Sequence, residues 1–500
     1  MDRDERLSGI LLHLTCLPSP YGIGSLGRPA HDFVEYLSRC GSRIWQILPL
    51  CVTSYGDSPY QSPSAKGLNY YLIDLDVLRK KGLLSDEECR KEARYEADTR
   101  VDYGRLFDTR IPLLKKAFSR FDSHEESFLR FVRKGEYHDF AFFMTLKEMH
   151  AFRPWHEWEK PFDRYSSKME KEIVEKEKER YLFYLWTQYE FLSQFSLLKA
   201  HCREKGILLM GDMPLYLSRD SVECYKYPEL FRLDERGVPT VVAGCPPDYF
   251  SPKGQLWGNP IYDWDRMEKD GYRFFVDRIN YSLRFFDILR IDHFRGFSAY
   301  YEIPFGREDA VIGRWVKGPG FALFKDLLSY PIVAEDLGQL DEDVYSLLRK
   351  TGYPGMKVLE FAFDGNAEND HLPSLSDKNS FTYTGTHDNM PLFGYLSGLS
   401  ESAREVYARS LEKECEKMGL CYCGKTLSDL AKTTIRLAYA SPSMACVIPM
   451  QDILLLGEES RMNTPSLLST RNWSYRAKKT DFNSEGVDFV KACRKEGRRK

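Results

Sequence analysis

The chain has 500 residues, in which 71 Lys and Arg residues are balanced by 74 Asp and Glu residues for a formal net charge of −3. Hydrophobic residues make up 43% of the sequence and charged residues 29%, a composition typical of folded globular proteins that excludes extensive disorder. The balanced charge provides no electrostatic basis for binding nucleic acids or anionic membranes, and we expect neither as a partner.

The N-terminal segment MDRDERLSGI is charged and lacks the apolar stretch of a signal peptide. The tightest cysteine group, Cys415, Cys421 and Cys423, lacks the paired spacing of a zinc site, and no histidine follows His387. The most apolar late segment, residues 446–456, is too short and too polar to span a bilayer. We therefore expect a soluble cytoplasmic protein with reduced thiols.

Eight short apolar runs along the chain are candidate β-strands. They are GILLHLT (9–15), RIWQILPL (43–50), GILLMGD (206–212), FDILRID (286–292), PIVAED (331–336), KVLEFAF (357–363), FTYTGTHD (381–388) and CVIPMQD (446–452). Their nearly continuous apolar character favours parallel strands buried on both faces. Helical stretches such as residues 31–41 and 342–352 separate most of them. This alternation predicts an α/β fold, a (β/α)8 TIM barrel, whose active site lies at the C-terminal strand ends.

The spacing of the candidate strands predicts one catalytic barrel domain over residues 1–500 with large insertions. Residues 51–205, between the second and third strands, exceed what one crossover helix requires, and we expect a largely helical subdomain there. Aromatic residues at helical spacing in residues 181–199 are expected to pack it. Residues 213–285 predict a second, loop-rich insertion. The remaining sequence is too short for a separate C-terminal β-domain, and the basic tail at 491–500 is expected to fray.

Acidic residues end five of the eight candidate strands. These endings are Asp212, Asp292, Glu335 with Asp336, Asp388 after His387, and Asp452. Because the C-terminal strand ends of a barrel surround its active site, they predict a carboxylate-lined cleft. Asp also starts turns and caps helices, so each ending has a purely structural alternative.

Arg290 and Asp292 lie two positions apart in a candidate strand, so both side chains point into the barrel. A neighbouring Arg lowers the pKa of a carboxyl group and keeps it ionised, which suits a nucleophile. A buried structural salt bridge explains the same pair equally well. Glu335 and Asp336 point to opposite sides, and burial near other carboxylates would raise the pKa of the inward one, as a general acid requires.

Three strand-end carboxylates allow two chemistries. One is glycosyl transfer by a nucleophile and an acid/base pair. The other is divalent-metal catalysis with the acids as oxygen ligands. Arg290 beside Asp292 and the aromatic content of 14% favour a sugar substrate, because aromatic rings pack on the apolar faces of pyranose rings.

Longer motifs follow one another along nearly the whole chain. They are GIGSLG (22–27), GDSPYQS (56–62), GDMP (211–214), VVAGCPPDYFS (241–251), QLWGNP (255–260), LRIDHFRG (289–296), IVAEDLG (332–338), TGTHDN (384–389), RMNTP (461–465) and NW (472–473). In these motifs the chain resembles the 4-α-glucanotransferases (amylomaltases, or disproportionating enzymes) of glycoside hydrolase family 77. The resemblance implies a retaining transfer of an α-1,4-glucan segment to the 4-hydroxyl of another glucan or of glucose.

The resemblance also implies residue roles. Asp292 is the expected nucleophile that forms a covalent glucosyl-enzyme, and Glu335 is the expected acid/base. Asp388 is expected to stabilise the transition state, with His387 beside it and Arg290 holding Asp292. The expected glucan-binding residues are Tyr60, Asp212, Asp248, Tyr249, Phe250, Trp257 and Asn463. Residues 246–251 resemble a mobile loop that covers the bound glucan.

No metal ion or organic cofactor is expected. The expected partners are maltooligosaccharides or chains from glycogen or starch, with glucose as an acceptor. The sequence departs from the family pattern at Met390 and Pro391 and at residues 65–70, away from the three acids. An α-1,4-glucan hydrolase, a divalent-metal-dependent barrel lyase or isomerase, and a non-catalytic glucan-binding protein remain the alternatives.

Overall fold

The structure is a computed structural model that describes residues 5–93, 100–247 and 251–500. Its strands are β1 (Leu7–Leu11), β2 (Ile44–Gln46), β3 (Leu208–Met213), β4 (Val241–Cys245), β5 (Gln255–Pro260), β6 (Ile288–Ile291), β7 (Ala299–Pro304), β8 (Arg314–Lys317), β9 (Ile332–Ala334), β10 (Gly355–Val358), β11 (Ser380–Tyr383) and β12 (Ala445–Pro449).

Eight strands of the described chain form one sheet in the order β10-β11-β12-β1-β2-β3-β6-β9. All neighbouring strands in it are parallel. The two edges of the sheet meet, because the N–H of Ala334 in β9 donates to the carbonyl of Pro354, just before β10, at 2.9 Å. Each strand overlaps one of the eight apolar runs, and the predicted (β/α)8 barrel is confirmed.

Side chains of the barrel strands alternate between the interior and the surrounding helices. Leu11, Ile44 and Met210 belong to one buried cluster, whereas Trp45 and Leu209 belong to another, which includes the helices. Both faces of these strands are therefore apolar, which explains why the sequence shows continuous apolar runs instead of alternation.

The helices lie mostly between successive strands. The α-helices are α1 (Arg28–Cys40), α2 (Leu75–Lys80), α3 (Asp86–Glu92), α4 (Tyr103–Ser119), α5 (Glu126–Lys134), α6 (His138–Met149), α7 (Ser167–Lys176), α8 (Lys178–Glu204), α9 (Val222–Lys226), α10 (Trp264–Lys269), α11 (Arg273–Leu283), α12 (Phe321–Phe324), α13 (Glu342–Thr351), α14 (Leu392–Gly398), α15 (Glu401–Lys417), α16 (Leu427–Ala440), α17 (Met450–Ile453) and α18 (Ser484–Glu496). In residues 5–93, 100–247 and 251–500, every helix is too short or too polar to span a lipid bilayer.

Helices α2–α8 lie between β2 and β3. The longest, α8, has 27 residues and a series of buried aromatic side chains along its length. Tyr184 and Trp186 are fully buried, and the ring of Trp186 packs against Phe118 of α4 at 5.7 Å between centroids. The aromatic side chains of this segment therefore pack the helices together, as their spacing predicts.

A second, antiparallel sheet has the strand order β5-β4-β7-β8. Strands β4 and β5 lie within the segment expected to be loop-rich, and β4 pairs with β7, which follows the barrel strand β6. The pairing joins Val241 to Pro304, more than sixty residues apart. Local sequence patterns do not reveal a pairing between such distant segments.

The basic C-terminal tail is ordered, and the expectation that it frays is wrong. The guanidinium of Arg499 is buried and donates to the carbonyls of Tyr439, Leu7, Ser443 and Ser441. These carbonyls lie near the N-terminal ends of β1 and β12. Arg499 therefore satisfies backbone acceptors at the end of the barrel opposite to the strand C-termini.

We predict that Arg499→Ala lowers the free energy of unfolding by at least about 3 kcal/mol, because it leaves several buried carbonyls without a charged donor. The neighbouring Arg498 is exposed, and Arg498→Ala is expected to change stability by less than about 0.5 kcal/mol. Urea denaturation of both variants measures the difference. Equal stabilities would contradict the role of Arg499.

Candidate active site

The sequence-predicted acids meet at the C-terminal end of the barrel. Asp212 and Arg290 lie in β3 and β6, and Asp292 follows β6 directly. Glu335 follows β9, and Asp388 lies in the turn after β11. Because parallel barrel strands all end at the same rim, side chains that are distant in sequence share one cleft.

The guanidinium of Arg290 lies at the centre of this cleft, and only 2% of the residue is exposed. Its Nη1 donates to Asp212 Oδ2 at 2.6 Å and to Asp292 Oδ1 at 3.2 Å. Its Nη2 lies 3.8 Å from Glu335 Oε2. Asp212 also accepts a hydrogen bond from the hydroxyl of Tyr60 at 2.8 Å. One buried cation therefore interacts with three carboxyl groups.

The pKa values of Asp292 and Glu335 are both raised above the ordinary range of carboxyl groups, with burial as the largest cause. Nearby carboxylates, including Asp388, raise both values further, whereas Arg290 lowers them. The expectation that Arg290 gives Asp292 a net lowered pKa is therefore wrong. A single guanidinium shared by three acids does not outweigh their burial and mutual repulsion.

Geometry distinguishes the two carboxyl groups. Arg290 hydrogen-bonds Asp292 at 3.2 Å but lies 3.8 Å from Glu335. The side chain of Asp292 is 26% exposed and that of Glu335 only 12%. The backbone N–H of His293 donates to Glu335 and partly favours its ionised form. The closer cation and the greater exposure favour ionised Asp292 beside protonated Glu335.

Asp388 lies on the other side of the cleft and is held through its neighbours. Asn463 Nδ2 donates to Asp388 Oδ1 at 2.7 Å, and Arg461 Nη2 donates to the Asp388 carbonyl at 2.7 Å. The side chain of Asp388 remains 40% exposed. The buried ring of His387 stacks on Tyr60, with centroids 5.2 Å apart and an interplanar angle of 11°. These contacts connect the Asp388 turn to the Arg290 cluster.

Trp257 in β5 extends the cleft beyond the acids. Its ring meets the ring of His293, which follows Asp292, edge to face at 4.8 Å between centroids. Its Nε1 donates to Gln255 Oε1 at 3.0 Å, which fixes the indole. The other expected glucan-binding residues of this region, Asp248, Tyr249 and Phe250, lie outside the described residues.

Two of the acidic strand endings do not join the cleft. Asp336 accepts a hydrogen bond from the N–H of Met356 at 2.6 Å, on the adjacent strand β10. Asp452 accepts from the Thr384 hydroxyl and from the N–H of Leu392. Both carboxyl groups satisfy polar groups of neighbouring segments, which is the structural role that strand-end Asp residues also serve.

The sequence pattern missed another acid at a strand end, Glu360. Strand β10 ends at Val358, although the apolar run continues to residue 363, so Glu360 lies just beyond the strand end. Burial raises the pKa of Glu360 to about 7, and a hydrogen bond with Asn389, next to Asp388, opposes the shift. Glu360 therefore contacts the turn that carries Asp388.

One cluster of metal-ligand type occurs in the described part of the chain, away from this cleft. It contains His138, Asp139 and Glu170. The ammonium of Lys226 lies between the two acids, 2.6 Å from Asp139 Oδ1 and 2.8 Å from Glu170 Oε1. This ammonium already lies between the two carboxylates and offsets one of their two negative charges.

A barrel mouth that holds two carboxyl groups around one buried guanidinium offers the kind of acid pair that enzymes use to cleave or transfer glycosidic bonds. Comparison with known proteins identifies the family. The family model described as 4-alpha-glucanotransferase, glycoside hydrolase family 77, matches residues 12–481. The chain belongs to this family.

Two curated relatives are named 4-alpha-glucanotransferase. The protein from Streptococcus pneumoniae is 42% identical over 482 residues, which cover 94% of this chain and 93% of the relative. The protein from Thermus thermophilus is 42% identical over 484 residues, which cover 94% of each chain. Among solved structures, amylomaltase from Streptococcus agalactiae in complex with acarbose has a TM-score of 0.92 and 38% identity, covering 99% of this chain and 100% of that chain.

The raised pKa of Glu335 leads to a prediction about stability. The folded protein holds this proton more tightly than the unfolded chain does, so stability falls as pH rises above the ordinary glutamate pKa of about 4.3. Glu335→Gln removes this dependence. We compare the unfolding free energy of the variant with that of the unmodified protein at each pH. From pH 5 to pH 8, this difference should shift by about 1–2 kcal/mol in favour of the variant.

Urea denaturation at both pH values measures this gain. The exposed residue Glu235 provides a matched control, and Glu235→Gln should give the same difference from the unmodified protein at both pH values. A Glu335→Gln variant that gains nothing at pH 8 would refute the raised pKa.

Proposed function

We propose that this protein is a 4-α-glucanotransferase that moves a segment of an α-1,4-glucan to the 4-hydroxyl of an acceptor glucan or glucose. The observation that supports this proposal most directly is the Asp292–Glu335 pair around Arg290. Both carboxyl groups belong to one buried charge cluster, in which the cation lies closer to Asp292. This asymmetry provides one nucleophile and one proton donor, as a retaining double displacement requires.

In the first step, Glu335 donates its proton to the glycosidic oxygen while Asp292 attacks the anomeric carbon. The bond between that carbon and the glycosidic oxygen breaks, and the reducing-end fragment leaves with the proton as its new hydroxyl. A covalent ester between Asp292 and the glucan segment remains. Glu335, which has lost its proton, is ionised and ready to act as a base.

In the second step, an acceptor glucan binds where the first fragment left. Glu335 removes the proton from the acceptor 4-hydroxyl, and the resulting oxygen attacks the anomeric carbon. The ester to Asp292 breaks, so Asp292 is again ionised and Glu335 is again protonated. Two inversions at the same carbon give net retention of the α configuration.

Asp388 is proposed to bind sugar hydroxyls of the distorted, positively charged transition state. The Asn463 amide holds one of its oxygens at 2.7 Å, while 40% of the side chain stays accessible to a ligand. Arg290 is proposed to hold Asp292 in line for attack, and His387 to support the cleft through its stack on Tyr60. Charges that are fixed in this way stabilise the transition state more than they stabilise the bound substrate.

The proposed glucan subsites surround these acids. They comprise Tyr60, Asp212, Trp257 and Asn463, together with Asp248, Tyr249 and Phe250 of the covering segment 246–251. Half-buried rings such as Trp257 pack against sugar faces and keep water from the covalent intermediate. The named ligand of the amylomaltase from Streptococcus agalactiae, acarbose, supports a carbohydrate ligand in the equivalent fold.

The proposal also covers the domain organisation, the substrates and the cellular location of the protein. We propose one catalytic domain over residues 1–500, with a helical insertion at 51–205 and a second insertion at 213–285 that includes the covering segment. Maltooligosaccharides and chains from glycogen or starch are the proposed substrates, in the cytoplasm. The two carboxyl groups make and break every bond of the cycle, so the mechanism requires no cofactor.

Of the alternatives, a hydrolase uses the same two acids and differs only in admitting water as acceptor. A metal-dependent barrel enzyme fits less well, because the Arg290 guanidinium already occupies the centre of the carboxylate cluster. A second cation there would be repelled at short range.

We predict that incubation with maltotriose gives glucose and a ladder of maltooligosaccharides longer than maltotriose. Transfer joins the retained segment to a second sugar, whereas hydrolysis produces only glucose and maltose. Chromatography of the products distinguishes the two outcomes. Asp292→Asn serves as the inactive control, since an amide is a poor nucleophile.

Products no longer than the substrate would contradict the transferase proposal and favour the hydrolase. Activity that a chelator abolishes and a divalent cation restores would favour the metal-dependent alternative.

A further inference from the structure

Arg461 lies beside the turn that carries Asp388, although it belongs to a distant part of the sequence. Its Nη2 donates to the carbonyl of Asp388 at 2.7 Å, and its Nε donates to the carbonyl of Asn463 at 2.8 Å. A guanidinium presents its donors in a rigid planar fork, so it holds two carbonyls that it binds together in one fixed relation. Arg461 therefore joins the turn after β11 to the segment that follows α17.

Two further hydrogen bonds connect the same two segments. The backbone N–H of Asn463 donates to the carbonyl of His387 at 3.1 Å, and its side-chain Nδ2 donates to Asp388 Oδ1 at 2.7 Å. Together with the two bonds from Arg461, they form a closed set of contacts around the Asp388 carboxylate. Arg461 is the charged donor of this set, and hydrogen bonds from a charged donor are stronger than those between neutral groups.

The charge of Arg461 also acts on Glu360, which lies just beyond β10. Burial raises the pKa of Glu360 and the guanidinium of Arg461 lowers it, so the two charges attract each other. Arg461 thus has three interactions in the surroundings of Asp388, namely two hydrogen bonds and one ionic attraction.

The Asp388 carboxylate depends on this support. It lies in the turn beyond β11, and its side chain is 40% exposed. A charge that stabilises a transition state must be in place before the reaction begins, and a misplacement of about 1 Å costs up to about 100-fold in rate. A residue that fixes this turn is therefore expected to control turnover more than substrate affinity.

We propose that Arg461 is a positioning residue for the transfer reaction, which holds Asp388 and Asn463 together as one unit at the edge of the cleft. The inference rests on the proposed function, in which Asp388 stabilises the transition state. In this role Arg461 acts on the backbone that carries the Asp388 carboxylate and not on the substrate.

The test measures kcat and KM with maltotriose for Arg461→Met and Arg404→Met. Methionine keeps much of the apolar stem of arginine and removes its donors. Arg404 is a matched control, since it is partly buried like Arg461 and also donates to backbone carbonyls, those of Leu396 and Leu399. These carbonyls lie at the end of α14 that is opposite to the Asp388 turn.

We expect Arg461→Met to lower kcat at least about tenfold with a change in KM below about threefold, because displacement of Asp388 weakens transition-state binding more than substrate binding. Arg404→Met should leave both constants within about twofold of those of the unmodified protein. An unchanged kcat for Arg461→Met, a KM that rises as much as kcat falls, or equal losses in both variants would overturn the proposal. Thermal unfolding of each variant verifies that it is folded.

A double-mutant cycle tests whether Arg461 acts through Asp388. The rates are measured as fluoride release from α-maltotriosyl fluoride, whose good leaving group keeps slow variants measurable. When Asp388→Asn is already present, adding Arg461→Met should lower the rate by less than about threefold, since the position of an impaired side chain no longer matters. A further loss as large as that of the single variant would refute action through Asp388.

If Arg461→Met does not fold, Arg461→Lys replaces it. Lysine keeps the charge but has one ammonium instead of a fork, so it does not reproduce both bonds, and kcat should fall at least about threefold with KM nearly unchanged. An unaltered kcat would contradict the positioning role. The unmodified protein separates the two hypotheses, because failure to elongate maltotriose refutes the transferase itself, whereas elongation with an unaltered kcat in the variants refutes only the role of Arg461.

Discussion

A single buried guanidinium makes the carboxylate cluster at the barrel mouth possible. Arg290 contacts Asp212 and Asp292 directly and lies near Glu335. Without this cation, three acids in a poorly solvated cleft would repel one another and take up protons. Because it lies closer to Asp292 than to Glu335, it favours ionisation of Asp292 over that of Glu335. The position of Arg290 in β6, between β3 and β9, is therefore the constraint on which the proposed chemistry depends.

Hydrogen bonds and a ring stack connect the Arg290 cluster to the neighbouring parts of the cleft. Tyr60 bonds Asp212 and stacks on His387, and the following residue, Asp388, is fixed by Asn463. On the other side, the segment after Asp292 passes the second sheet. The acids thus lie at or just beyond the C-terminal ends of barrel strands, while the groups proposed to recognise sugar come from loops and from the added sheet. This division is common in barrel enzymes, because loop variation leaves the core intact.

The sequence predicted the barrel because strands buried on both faces produce continuous apolar runs, and it predicted the main acids because they follow those runs. Strand-end position alone did not separate Asp292 from Asp452, since acids expected to be catalytic and acids that cap turns occupy the same position, and only the family resemblance singled out Asp292. Glu360 was not predicted as a strand-end acid, because strand β10 ends at Val358, before the apolar run does. The net pKa shift of Asp292 depends on how many acids share Arg290, and the pairing of β4 with β7 joins distant segments. Neither is encoded in local spacing.

The proposed mechanism requires that Asp292 attacks as an anion while Glu335 holds the proton. The most direct test is to incubate Glu335→Gln with α-maltotriosyl fluoride and to analyse the protein by mass spectrometry. Fluoride leaves without an acid, and the missing base slows release of the intermediate. We expect a maltotriosyl adduct on the peptide that contains Asp292. Consumption of the fluoride without an adduct, or an adduct on another carboxyl group, would contradict it.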